Sequence, residues 1–243
     1  MCGVFGFVAR DGKGPELGRL KRIAAATMAR GPHAWGMAWI DSRGRLKCFK
    51  QTGRIVDALG LLAMAADARM LIGHCRYATQ GAPENNLNNH PHPADGGWIV
   101  HNGTIPDYRG IIEAEELFPV SDCDSEVLGL LIEKGSGSLL GRSIWAARHV
   151  RGPLALLGLW SRPARLVALK AGNPLCLGVE AKRYYLGSLP DGLPGEVRAF
   201  KDGQALEFTA SKTHVQEFAG SRASRPQREG ETWPSSARRG LWA

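Results

Sequence analysis

The sequence lacks any closely spaced pair of cysteines. Its five, Cys2, Cys48, Cys75, Cys123 and Cys176, are odd in number, far apart and free of any CxxC motif. That excludes a disulfide framework and a cysteine-rich zinc site. No charged segment followed by an apolar stretch opens the chain, so no signal peptide is read. The longest apolar run, residues 55–66, carries Asp57 and is too short to span a bilayer. Together these absences lead to the expectation of a reducing, cytoplasmic setting without membrane contact. Signatures of nucleic-acid binding are missing too. The net charge is +8, but the basic residues are scattered, and residues 219–243 alone bring five arginines against two glutamates. There is no zinc-finger spacing and no aromatic–basic platform, so a nucleic-acid partner is not expected.

What is present is an ordinary globular composition, 44% hydrophobic and 22% charged, on 243 residues that can bury a sizeable core. Strands are expected at 3–8, 35–40, 45–51 and 70–77, with helices over 16–30 and 55–66. An Asn-, Pro- and Gly-rich stretch, GAPENNLNNHPHPADGG (81–97), reads as a long loop of the kind that often carries function. A strand at 98–101 is expected to enter a turn at Asn102-Gly103. Helices follow at 108–117, 124–133 and 139–150, then short strands at 154–160, 165–170, 175–179, 183–186, 196–200 and 204–208. This order implies an α+β domain rather than a doubly wound one. Residues 2–218 form the expected domain. Residues 219–243, rich in Arg, Ser and Pro, read as a disordered tail in which Trp233 and Trp242 could serve as docking points.

The chain begins MCGVFGFV. If Met1 is removed, Cys2 carries both a thiol and a free α-amine. A thiol with an ordinary pKa near ~8.5 is little ionised at neutral pH, whereas an α-amine with a pKa of ~7.7–8.0 is partly neutral and can take its proton. Such a residue is a self-contained nucleophile and base. The plainer alternative is a buried core cysteine. Other residue types invite chemistry. Asn102-Gly103 offers a side-chain amide and an unobstructed N–H, or simply a hairpin turn. Arg76 offers a fork for a carboxylate, or is a surface arginine. Asp124 offers a counter-charge for an ammonium, or it (or Asp122) caps a helix. His90 and His92 in NHPH make a weak metal pair, with bracing of the loop the stronger reading.

With Cys2, the stretches RGPHAWGMAWID (30–41), GHCRYATQG (73–81), NNHPHPADGGWIVHNGTI (88–105) and SDCDSEVL (121–128) follow in order, and NPLCLG with YYLGSLPDGLPG comes later. In this order they resemble the class II glutamine amidotransferases. These are N-terminal-nucleophile hydrolases, found as the glutaminase domains of glucosamine-6-phosphate synthase, glutamine phosphoribosylpyrophosphate amidotransferase and asparagine synthetase. The likeness covers about residues 2–210. It implies a four-layer αββα sandwich and hydrolysis of the L-glutamine side-chain amide through a Cys2 thioester. It also implies an oxyanion hole at Asn102 and Gly103, and Arg30 beside the nucleophile. Glutamine would be bound by Arg76, Tyr77, Thr79 and Asp124. No metal or other cofactor is expected.

Two positions depart from the family pattern. His33 stands where Asp is usual, next to the nucleophile, and Gln80 stands where His is usual, at the pocket edge. Members usually carry a second domain that uses the ammonia, so a separate ammonia-accepting synthase is the expected partner. A stand-alone γ-glutamyl amide hydrolase and a non-catalytic binding module are the alternatives.

Overall fold

The computed structural model describes residues 1–219; the expectations for the tail, including Trp233 and Trp242, lie outside the described residues. The uninterrupted apolar run after Cys2 forms β1 (Gly3–Ala9), buried along its whole length. A strand can be apolar at every position only if both its faces are covered. Val4 and Val8 face a second sheet, while Phe5, Phe7 and Ala9 face a helical layer. β1 therefore lies at the centre of a sheet, flanked by β4 (Met70–Arg76) and β10 (Arg183–Gly187). That sheet is completed by β2 (Ala34–Ile40), β3 (Leu46–Thr52), β9 (Cys176–Glu180) and β11 (Glu196–Ala199), in the order β11-β9-β10-β1-β4-β2-β3.

The second sheet has the order β13-β12-β8-β7-β6-β5. Its strands are β5 (His92–Ala94), β6 (Gly97–Gly103), β7 (Leu154–Ser161), β8 (Ala164–Ala171), β12 (Gln204–Phe208) and β13 (Thr213–Glu217). All pairings within both sheets are antiparallel. Between the sheets, Val4, Ile72, Leu157, Ala168, Leu186 and Leu206 form one apolar layer. Each fully buried Val, Ile or Leu side chain among them contributes ~1.5–3 kcal/mol.

Helices close both outer faces. α1 (Leu17–Met28) buries Leu20, Ile23, Ala24 and Thr27, a single helical stripe, against the first sheet. A 3-10 segment, Ile55–Ala65, kinked at Ala58, packs beside it where a regular helix was expected. α2 (Tyr108–Ala114), α3 (Glu126–Lys134) and α4 (Leu139–His149) cover the second sheet through Val127, Leu131, Ile144 and Ala147. The architecture is thus the expected αββα sandwich. No helix among the described residues is long and apolar enough to cross a membrane.

Local differences have physical reasons. Asn102-Gly103 is not a hairpin turn: it is the end of β6, paired with Ala155 and Leu154 of β7. The 81–97 stretch is not all loop, for a 3-10 turn (Asn86–Asn88) and β5 interrupt it. β13 escaped the sequence reading because it is a mostly exposed, polar edge strand without an apolar pattern.

Candidate active site

Cys2 sits at the head of β1, at one end of the first sheet. Two close approaches fix it. A Cβ on Gly3 would meet Thr27 Cγ2 at 2.7 Å, so only glycine lets the end of α1 lie this near. Arg30, just past that end, donates from Nε to the Cys2 carbonyl at 2.8 Å. The Cys2 thiol accepts from the Tyr77 N–H at 3.3 Å. Burial pushes its pKa up, against the lowering effects of the Tyr77 hydrogen bond, the positive amino terminus and Arg76, while Asp124 raises it further.

Across the gap lies the end of β6. Strand geometry decides where its polar groups point, because the N–H and C=O of alternate residues leave the same edge. The His101 N–H donates to His90 Nδ1 and the His101 carbonyl meets His74 Nε2. The Asn102 carbonyl faces the opposite edge, where Asn173 Nδ2 donates to it at 2.8 Å and to the Pro153 carbonyl at 3.0 Å. The Gly103 N–H therefore leaves on the His101 edge, past the point where β5 stops pairing at Ile99. A side chain at Gly103 would collide with His101 and with the Pro153 carbonyl at 2.6 Å. The Asn102 side chain is buried, and its Nδ2 has no partner among the described residues.

Cys2, Tyr77, Thr79, Asn102 and Gly103 line one cleft of about 360 Å³. Met1, Thr104 and Asn173 line it as well; Thr104 and Asn173 stand in the stretches 88–105 and NPLCLG, but neither had been given a role. Arg30 lies behind Cys2 rather than in the cleft lining.

Arg76 and Asp124 are both buried outside that lining. Arg76 is not a surface arginine. Its Nη1 donates to Asn89 Oδ1 at 2.9 Å, and its Nη2 donates to the carbonyls of Gln80 and Gly81. Asp124 does not cap α3: its Oδ2 accepts the Ile105 N–H at 2.7 Å, leaving Oδ1 only long contacts to Ser125 and Cys123. The two departures from the family pattern find local roles. His33 Nδ1 accepts the Ala78 N–H at 3.0 Å and its ring lies 4.8 Å from that of Tyr77. Gln80 supplies Arg76 with its backbone carbonyl while its side chain stays exposed.

His90 and His92 are buried, and Cys123 joins them to make three donor atoms within 4.8 Å of one another. Because His90 Nδ1 accepts a backbone N–H, its proton is on Nε2, facing the Cys123 thiol at 3.9 Å. The His90 ring also stacks on His74 at 3.9 Å. These imidazoles thus tie the loop to β4 and β6. Burial lowers the pKa of His74 to about 3 and that of His101 to about 4, and holds His90 and His92 well below the usual value. An unfolded chain would protonate all four near pH ~6.5. It then binds protons that the folded chain refuses, so stability is full above that pH and falls as the pH drops toward 4. Urea unfolding is expected to show a loss of up to ~1.4 kcal/mol per pH unit for each histidine over this range.

Two antiparallel sheets packed face to face and covered by helices are the fold of the N-terminal-nucleophile hydrolase type, and one cleft of it is lined by Cys2 and Asn102. Comparison with known proteins narrows this. The chain is 32% identical over 237 residues to the isomerizing glutamine–fructose-6-phosphate aminotransferase of Aquifex aeolicus, covering 93% of this chain and 39% of that protein. The Escherichia coli K12 enzyme of the same name is 28% identical over 258 residues, covering all of this chain and 41% of its own length. The chain thus spans about two-fifths of these relatives. Among solved structures, glutamine phosphoribosylpyrophosphate amidotransferase from B. subtilis superposes with a TM-score of 0.75 at 21% identity, over 90% of this chain and 49% of that one. A glutamine aminotransferase class-II domain protein from Silicibacter pomeroyi gives 0.60 at 16% identity, over 90% and 100%. No family model matches the sequence. The chain is homologous to the glutaminase domains of the glutamine–fructose-6-phosphate aminotransferases, and its fold matches the amidotransferase structures named above.

Proposed function

We propose that the chain hydrolyses the side-chain amide of L-glutamine and that the ammonia serves an acceptor site these 243 residues do not contain. The observation that carries this is the shared cleft: Cys2, Asn102 and Gly103 line it together, and the buried Asn102 Nδ2 has no partner among the described residues. With Met1 removed, the free Cys2 amine takes the thiol proton, and the thiolate attacks the glutamine amide carbon. Asn102 Nδ2 and the Gly103 N–H then receive the oxyanion. Collapse returns the proton to the leaving nitrogen, releases ammonia and leaves a γ-glutamyl thioester. Water, activated by the same amine, cleaves the thioester to glutamate.

Recognition of free glutamine falls to charges set behind the cleft. Arg76, with Nη2 committed to Gln80 and Gly81 and Nη1 shared with Asn89, offers its charge and one remaining Nη1 hydrogen to the α-carboxylate, with Thr79 and Tyr77 at the pocket edge. Asp124 keeps Oδ1 for the α-ammonium. Arg76→Lys is expected to raise KM for glutamine at least about tenfold although the charge is kept, because one ammonium cannot hold Asn89, Gln80 and Gly81 and still meet the α-carboxylate. Asp124→Asn should raise KM similarly. Steady-state ammonia release checks both, and an unchanged KM in both variants would favour a hydrolase for other γ-glutamyl amides.

The mature terminus has its own test. Intact mass of active protein should show loss of Met1, and a glutamine-like diazo-ketone should label Cys2 alone; active protein that retains Met1 rules out the amine as base. kcat/KM should rise with pH as this amine, with an ordinary pKa of ~7.7–8.0, loses its proton. The named relatives use glutamine as an amino donor to fructose 6-phosphate, and the present chain covers only about two-fifths of their length. An ammonia-accepting synthase as partner is the matching reading. All five cysteines are free thiols, which supports a reducing cytoplasm as the working compartment.

A further inference from the structure

At the far end of β1 the two sheets part and leave a second cavity, of about 410 Å³, unconnected with the glutamine chemistry. β1 and its flanks run for about 26 Å from Cys2 to Arg10 at ~3.3 Å per residue, so the two sites lie at opposite ends of one strand. The floor of the cavity is the outer margin of the inter-sheet core, formed by Leu177, Val179, Tyr184 and Phe208. Its rim carries two cations, Arg10 after β1 and Lys212 from the β12–β13 hairpin, with His214 beside them.

Arg10 is built in without a counter-ion. Its Nη1 donates to the Tyr184 hydroxyl at 2.8 Å and its Nη2 to Thr213 Oγ1 at 2.7 Å, both neutral acceptors. The guanidinium lies 4.8 Å over the Tyr184 ring, and its buried Nε has no partner among the described residues. The carboxylates nearby are spent on other arginines: Asp11 on Arg183 and Glu207 on Arg165, each at 2.9 Å, and Glu196 on Arg198 at 2.5 Å. Neither Arg10 nor Lys212 forms an ion pair among the described residues. Withdrawing a cation from water without an anion is unfavourable, and a guanidinium held rigid by hydroxyls and a ring is already arranged to receive one. The volume suits a small molecule. The chain's own Arg-rich segment 219–243, with five Arg against two Glu, has the wrong sign to fill it.

We propose that this cavity binds a small amphipathic anion: one carboxylate or phosphate held by Arg10 and Lys212, and an apolar body laid on Val179, Tyr184 and Phe208. Isothermal titration of the full chain with 2-naphthoate, 1-naphthyl phosphate, 1-naphthol and inorganic phosphate tests it. At least one naphthyl anion should bind about tenfold or more tighter than both 1-naphthol and inorganic phosphate, and the stronger of the two fixes the head group. Arg10→Gln and Lys212→Gln should each weaken that binding at least about fivefold. Lys212 is on an exposed turn, so its variant remains decisive if Arg10→Gln unfolds. Prior labelling of Cys2 by the diazo-ketone should leave binding unchanged. Equal binding of 1-naphthol, equal binding of inorganic phosphate, no binding of either anion, insensitivity to Lys212→Gln, or loss of binding on Cys2 labelling would each overturn the proposal.

Discussion

Replacing Cys2 by serine is expected to lower glutamine turnover by about 10³ or more while leaving the unfolding midpoint nearly unmoved. The substitution keeps the shape of the side chain, and the thiol makes only two long contacts, both to the Tyr77 backbone. What it changes is acidity. A hydroxyl ionises far less readily than a thiol, and an α-amine with an ordinary pKa of ~7.7–8.0 is too weak a base to make up the difference. The thiol itself starts at a disadvantage, since burial raises its pKa. Ammonia release at saturating glutamine, read beside a thermal melt, separates the two accounts of this residue. A buried structural cysteine would move the melt, whereas a nucleophile moves the rate.

Asn102→Ala should lower kcat by ~10²–10³ with KM little altered. A donor that meets charge only as the carbonyl oxygen becomes an oxyanion stabilises the transition state and scarcely touches bound glutamine. The side chain is suited to that role because its Nδ2 is buried and has no other partner among the described residues. Asn173→Ala should give a smaller loss, roughly tenfold, in the same parameter. Asn173 holds the Asn102 carbonyl, and in a trans peptide the following N–H points the opposite way. Releasing the carbonyl therefore loosens the aim of the Gly103 N–H without removing a donor. Single-turnover kinetics on both variants checks the order, and a KM effect larger than the kcat effect in Asn102→Ala would assign the amide to substrate binding instead.

Much of this arrangement was legible in the amino-acid order. The apolar run after Cys2 implied a strand, and β1 is one, buried along its whole length. The Cys2, Arg76, Asn102-Gly103 and Asp124 motifs gave the family, and with it the sandwich that no count of strands could have specified. What the sequence could not show was long-range. Asn-Gly reads locally as a turn, but pairing with Ala155 and Leu154 holds it in β6. Asp124 reads as a helix cap, yet a backbone N–H nineteen residues away claims it. Asn173 stood in the NPLCLG run without a role, because its contacts lie 71 and 20 residues back. Cys123 likewise meets His90 only through the fold.

The placement of Cys2 has a consequence for how the domain can adapt. β1 is paired on both sides, from Phe5 to Val8, by β4 and β10. Its amides should exchange with solvent only when the whole domain opens, at the slowest rates in the molecule. Cys2 thus rides on backbone that cannot yield to a substrate. The facing segment is held differently. Residues 77–91 lean on side-chain ties: Arg76 to Gln80 and Gly81, Thr52 to Pro83, Asn88 to Asp122, and Lys50 to Asn89 and Pro91. Such ties break one at a time, so exchange there should be orders of magnitude faster, and any fitting of the pocket to glutamine falls to that side of the cleft alone.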